Sequence, residues 1–137
     1  MEENTNASTY LALLDAYKEQ LETMELQSNY IQALITEYTK AKVTLEQLSK
    51  TSGDVDTLFP IGGGIFVPAT FRDISKVLVS EGADIVIEKS LSDAIAVMER
   101  RIDELQDSLN KLQERAGEIQ QRMIEISKNL QNMLKEK

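Results

Sequence analysis

Residues 58–69 read LFPIGGGIFVPA. Three adjacent glycines between apolar residues, with a proline on each side, cannot sit inside a helix. They suit a tight turn joining two strands, because such turns demand positive backbone φ angles. A phosphate-binding loop would need Lys and Ser or Thr after the glycines, opening a helix. Here the glycines lead into Ile65-Phe66-Val67-Pro68, a second apolar strand. All three phenylalanines of the chain, Phe59, Phe66 and Phe71, fall in this neighbourhood.

Working outward, the segment 55–89 reads as four short strands: Thr57–Ile61, Ile65–Phe71, Lys76–Ser80 and Asp84–Lys89. The expected turns are Gly62-Gly63-Gly64, Arg72-Asp73-Ile74-Ser75 and Glu81-Gly82-Ala83. Pro60 and Pro68 lack a ladder donor and belong at edges or strand ends. The runs Ile65-Phe66-Val67, Val77-Leu78-Val79 and Ile85-Val86-Ile87 place apolar groups on both faces of a sheet. A sheet of this size has no second layer within the chain. Copies of the chain or related subunits are therefore expected to cover it. The residues expected to carry that assembly are Phe59, Ile61, Ile65, Phe66, Val67, Phe71, Val77, Val79, Ile85 and Ile87.

On the C-terminal side, Leu91, Ile95, Met98, Ile102, Leu105, Leu109, Leu112, Ala116, Ile119, Met123, Ile126, Leu130 and Met133 follow an unbroken 4-3-4-3 spacing. This predicts a coiled-coil helix over 90–135. Ser90 and Asp93 resemble a capping box at its start, and Gly117 lies just off the seam. On the N-terminal side, Leu14, Tyr17, Leu21, Met24, Ser28, Ile31, Ile35 and Tyr38 keep heptad spacing, and Ala41, Leu45 and Leu48 follow. This predicts a helix over 8–50, with a stammer after Tyr38 and a polar gap at Ser28. Each helix would span roughly 65 Å. Seams of matched length on either side of one insert predict an antiparallel pair, with Leu11 near Leu130 and Leu48 near Leu91. The fold class is α+β, a two-helix coiled coil around a four-stranded insert.

Composition narrows the function. The 137 residues carry 15 Lys and Arg against 23 Asp and Glu, a net charge of −8. That balance argues against nucleic acid or an anionic membrane as partner. Cys and His are both absent, which excludes disulfides, thiol nucleophiles, Ser–His triads and Cys or His metal sites. No cofactor is expected, and no enzyme, since no polar cluster forms a cleft. The polar start MEENTNAST does not read as a signal peptide, and no apolar run is long enough to span a membrane, so a cytoplasmic location is expected.

The order helix, two β-hairpins, helix resembles the alpha-type subunit of archaeal prefoldin over essentially the whole chain. Leu58-Phe59-Pro60-Ile61-Gly62-Gly63-Gly64-Ile65-Phe66-Val67 is similar to that family's V-P-I/V-G-A-G-S-F stretch. Val77-Leu78-Val79-Ser80-Glu81-Gly82-Ala83 is similar to its I-V-S-V-G-A-G. Glu88-Lys89-Ser90-Leu91-Ser92-Asp93-Ala94-Ile95 resembles its E-K-x-x-x-E-A-I. Gly63, Ile65, Glu81 and Asp84 depart from the usual Ala, Ser, Val and Gly. The resemblance implies an ATP-independent cochaperone in which two alpha-type and four beta-type subunits join through their hairpins. The coiled-coil tips then hold unfolded proteins and pass them to a group II chaperonin. A structural or filament-forming coiled-coil protein without client activity is the alternative.

An unfolded client offers apolar side chains without fixed shape, so its holder needs exposed, adaptable apolar surface. Near the free ends the chain has more apolar residues than a seam uses. Leu11 and Leu13 accompany Leu14, and Ile124 and Leu134 accompany Met123, Leu130 and Met133. The residues alone fit a slightly wide coiled-coil stripe equally well; the resemblance makes these eight the expected client contacts.

Overall fold

The structure, a computed structural model, describes residues 2–72 and 74–135. Two long helices pack together with two β-hairpins between them in the chain. The elements run α1 (Glu2–Ser49), β1 (Val55–Gly62), β2 (Ile65–Phe71), β3 (Lys76–Gly82), β4 (Ile85–Ser90) and α2 (Leu91–Lys135). α1 starts six residues before the expected Ser8. The first glycine or proline of the chain is Gly53, so nothing upstream interrupts a helix.

The end of α1 is well sealed. Ser49 Oγ donates to the Glu46 carbonyl at 2.7 Å, and Thr51 Oγ1 donates to the Gln47 carbonyl at 2.9 Å. The amides of Lys50 and Thr51 donate to the Gln47 and Leu48 carbonyls at 3.2 Å each. Three of the last four carbonyls, which have no partner within a helix, are thereby satisfied. Gly53 then leaves with φ of 83°, a left-handed conformation open to glycine. At the start of α2, the amide of Asp93 donates to Ser90 Oγ at 3.1 Å, which is the N-cap expected from the sequence.

The chain divides into two compact units. One joins Met1–Ile35 to Glu104–Lys137, and the other is Thr36–Asp103. In the first unit, Met24, Leu109 and Ile119 are buried and the other seam residues are half-buried. Met24, Ser28, Leu112 and Ala116 line one groove, so the small residues of the two seams share a place. Tyr17 shares another groove with Ile119 and Arg122. In the second unit, Lys42 Nζ lies 3.5 Å from Glu99 Oε1, and Arg101 stands over the Tyr38 ring at 5.7 Å. Both sets of pairs match the antiparallel register expected from the seams. The expected stammer leaves α1 unbroken; past Tyr38, Ala41 and Lys42 are both half-buried, as are Leu45 and Glu46. The seam widens there to two residues per turn.

The insert is two separate two-stranded sheets, β1–β2 and β3–β4, and not one sheet of four strands. The pairs run Val55↔Phe71 to Pro60↔Phe66 in the first and Lys76↔Ser90 to Ser80↔Val86 in the second. Each ladder shifts by one residue before the turn, at Ile61-Gly62 and at Glu81-Gly82. The last turn is Ala83-Asp84, and Glu81 and Gly82 belong to β3, whereas the sequence suggested a turn at Glu81–Ala83. Asp73, in the expected connection between the hairpins, lies outside the described residues.

Both hairpin turns need left-handed backbone at their two central positions. Gly63 and Gly64 have φ of 61° and 77°, and Ala83 and Asp84 have 49° and 61°. These angles suit the type I′ turns that match strand twist. Glycine adopts them freely, while Ala83 is strained. Ala83→Gly is expected to stabilise the chain by about 0.5–1 kcal/mol after the extra unfolded-state freedom is subtracted. Thermal unfolding followed by circular dichroism should show a midpoint raised by a few degrees. A lowered midpoint would mean that the turn is not strained.

Candidate assembly and client-contact surfaces

The core of the second unit forms where β3 meets the helices. Val79, Ala94, Val97 and Met98 are buried together, with Tyr38, Ala41, Leu45 and Val77 packed against them. Ala94 is 1% exposed, and its small side chain lets the strand approach α2 closely. A polar cluster ties the same hairpin down. Arg101 donates from Nη2 to the Ser80 carbonyl at 2.7 Å and lies 3.8 Å from a Glu81 carboxylate oxygen. Lys89 reaches the other Glu81 oxygen at 3.7 Å. Heptad reasoning missed Arg101 because it lies between the seam positions Met98 and Ile102, and its partners Tyr38, Ser80 and Glu81 are about twenty or more residues away in other elements.

Val77 and Val79 are thus occupied within the chain, although the sequence grouped them with the assembly residues. Their neighbour Leu78 points the other way and is 72% exposed. The remaining assembly candidates are all exposed: Phe59, Ile61, Ile65, Phe66, Val67, Phe71, Ile85 and Ile87, joined by Leu58 and Val86. Their exposures run from 42% at Phe71 to 62% at Leu58, on the two hairpins. Exposed aliphatic and aromatic strands of this kind form an apolar surface unusual on an isolated domain.

The eight residues expected near the free ends divide into two sets. Leu11, Leu13, Ile124 and Leu134 are exposed, while Leu14, Met123, Leu130 and Met133 are half-buried in the seam. All lie in the unit formed by the first part of α1 and the last part of α2. The sequence did not single out Leu26 and Tyr30, which are 71% and 68% exposed one turn apart on α1. The available signal was that two large apolar residues fall off the seam at a spacing of four.

A sequence profile of the prefoldin family, described as "Prefoldin subunit", matches residues 17–136. The chain belongs to the prefoldin family. Several curated relatives are prefoldin alpha subunits. That of Methanococcoides burtonii is 37% identical over 84 residues, covering 61% of each chain. That of Methanocorpusculum labreanum is 36% identical over 97 residues, covering 71% of this chain and 66% of the other. That of Methanoculleus marisnigri is 38% identical over 93 residues, covering 68% and 62%. The match therefore spans about three-fifths to two-thirds of the length of these relatives. Two solved prefoldin structures share the fold. A filamentous prefoldin from Methanocaldococcus jannaschii has a TM-score of 0.58 at 22% identity, covering 92% of this chain and 98% of that one. The prefoldin beta subunit from Thermococcus strain KS-1 has a TM-score of 0.60 at 18% identity, covering 92% and 90%. Among the described residues no group of acidic side chains is placed to hold a metal ion, and no helix is long and apolar enough to cross a membrane.

Proposed function

We propose that this chain is the alpha-type subunit of an ATP-independent holdase chaperone of the cytoplasm. In this reading it assembles with beta-type subunits through its hairpins, two alpha to four beta. The assembly captures unfolded proteins at the coiled-coil tips and delivers them to a group II chaperonin. The observation that carries the reading is the exposure of eleven large apolar residues on two short hairpins. Such a surface is costly in an isolated protein and useful in an assembling one. The four exposed apolar residues near the free ends add a separate surface suited to disordered clients. A subunit of this kind needs no reaction chemistry, in keeping with a family of non-enzymatic chaperone subunits.

The test mixes the chain with an archaeal prefoldin beta subunit and a denatured aggregation-prone protein, without nucleotide and with a chelator present. Light scattering is expected to stay low at a few-fold molar excess of the complex. Aggregation as fast as in buffer would overturn the holdase reading. If the chain meanwhile forms long polymers by electron microscopy, the filament-forming alternative takes its place.

A further inference from the structure

In a two-helix coiled coil, the face of each helix turned away from its partner meets water and is normally polar. On α1 the seam residues Leu21, Met24, Ser28, Ile31 and Ile35 fix that direction. At about 100° per residue, Asp15, Glu19, Glu22, Leu26, Tyr30 and Ala33 all lie within about 40° of the line opposite the seam. All six are exposed, and all belong to one compact unit. Their 4-3-4-4-3 spacing is that of a second seam. Leu26 and Tyr30 are 71% and 68% exposed, more than any other large apolar residue of the two helices among the described residues. The other half of the stripe is anionic. Among the described residues, Asp15, Glu19 and Glu22 pair with no cation. Lys18 is the single cation of α1 before Lys40, and it lies about 80° around the helix from the centre of the stripe.

We infer that this outer stripe of α1 docks a basic amphipathic helix of another protein. Leu26, Tyr30 and Ala33 receive its apolar side chains, and Asp15, Glu19 and Glu22 face Lys or Arg further along it. From Asp15 to Ala33 the stripe is about 27 Å long, the length of a helix of about 18 residues. The Tyr30 ring also offers a face to a cation. Unpaired carboxylates beside exposed apolar groups are complementary to a partner that brings both charge and apolar surface. A second copy of the chain fits poorly. It would set its own carboxylates either against these carboxylates or over Leu26 and Tyr30, and both arrangements are unfavourable. The site goes beyond capture at the free ends, since it selects by charge and by helical spacing, and it stands whether or not the free ends hold clients.

The test uses fluorescent helical peptides of about 20 residues, with Leu on the heptad positions of one half and Lys on those of the other. Peptides with the halves in either order cover parallel and antiparallel docking, and counterparts carry Glu in place of every Lys. Fluorescence anisotropy with the full chain should show one Lys peptide bound about tenfold or more tightly than its Glu counterpart. The difference should narrow several-fold as salt rises from about 0.05 M to about 0.5 M. Leu26→Ser/Tyr30→Ser should weaken the Lys peptide about tenfold or more, and Glu19→Lys/Glu22→Lys should reverse the preference between the peptides. Circular dichroism should show helicity kept in both variants. Leu11→Ser/Leu13→Ser should leave peptide binding unchanged, so the docking site and the client surface fail separately. Equal binding of Lys and Glu peptides by the parent chain would overturn the inference, as would undiminished Lys-peptide binding by folded Leu26→Ser/Tyr30→Ser. Self-association of the parent chain that this same variant abolishes would also overturn it, making a second copy the occupant.

Discussion

Val67→Asp is expected to abolish the assembly while leaving the subunit folded, and Val79→Asp is expected to unfold the subunit. The two valines sit in similar sequence contexts, Ile-Phe-Val-Pro and Val-Leu-Val-Ser. Val67 is 44% exposed on β2, so a carboxylate there stays hydrated in the isolated chain and should change its stability by no more than about 0.5 kcal/mol. Covered by a second subunit, the same carboxylate loses its water without gaining a partner, at a cost of about 3 kcal/mol or more. That weakens association by about two orders of magnitude. Val79 is 7% exposed against Ala94, Val97 and Met98. A charge there faces only apolar groups and is expected to cost about 3–5 kcal/mol within the monomer, a large part of the usual stability of a domain. Sedimentation and thermal melts of both variants separate the cases. An assembled Val67→Asp complex would remove β2 from the interface. A Val79→Asp chain that melts like the parent would mean that β3 does not pack on the helices.

The second large effect concerns clients. Replacing Leu11, Leu13, Ile124 and Leu134 together by Ser should leave the complex assembled and strip it of protection against aggregation. These four side chains are 53%, 39%, 48% and 65% exposed, so the fold gains little from them. Their seam neighbours Leu14, Met123, Leu130 and Met133 are half-buried, and changing those would loosen the helix pair as well. A fully buried Leu or Ile contributes about 1.5–3 kcal/mol, and a partial contact with a disordered client contributes less. One set of contacts is then expected to bind at about millimolar to high micromolar strength. Several tethered sets acting together raise the apparent affinity by about 10² to 10⁴. Loss of the weak contacts therefore removes nearly all capture, and weak separate contacts also permit release. The control is Leu26→Ser/Tyr30→Ser on the mid-part of α1. Protection lost in the control and kept in the quadruple variant would move the capture surface away from the free ends.

Much of the fold was legible because it is local. All 13 heptad positions of α2 are buried or half-buried, and so are the 11 seam positions of α1. The helical period alone puts those residues on one stripe. The glycine turn, the strand positions and the Ser90 cap likewise follow from backbone preferences within a few residues. The start of α1 at Glu2 was less visible, because its first turns carry no apolar seam and only the lack of glycine or proline favours the helix.

The assignment of individual apolar residues to core or surface was decided only in three dimensions. Val-Leu-Val on β3 and Ile-Val-Ile on β4 are equivalent as local patterns, yet Val79 is buried and Ile87 is 44% exposed. The small Ala94 on α2 gives β3 its close contact, and no local signal pairs residue 94 with residue 79. Arg101 could not be assigned either, since Tyr38, Ser80 and Glu81 reach it only once helix, strand and helix have packed. Periodicity fixes which residues share a face, because it is a property of one element's backbone. Which faces meet depends on contacts between elements far apart in the chain, and those exist only in the folded unit.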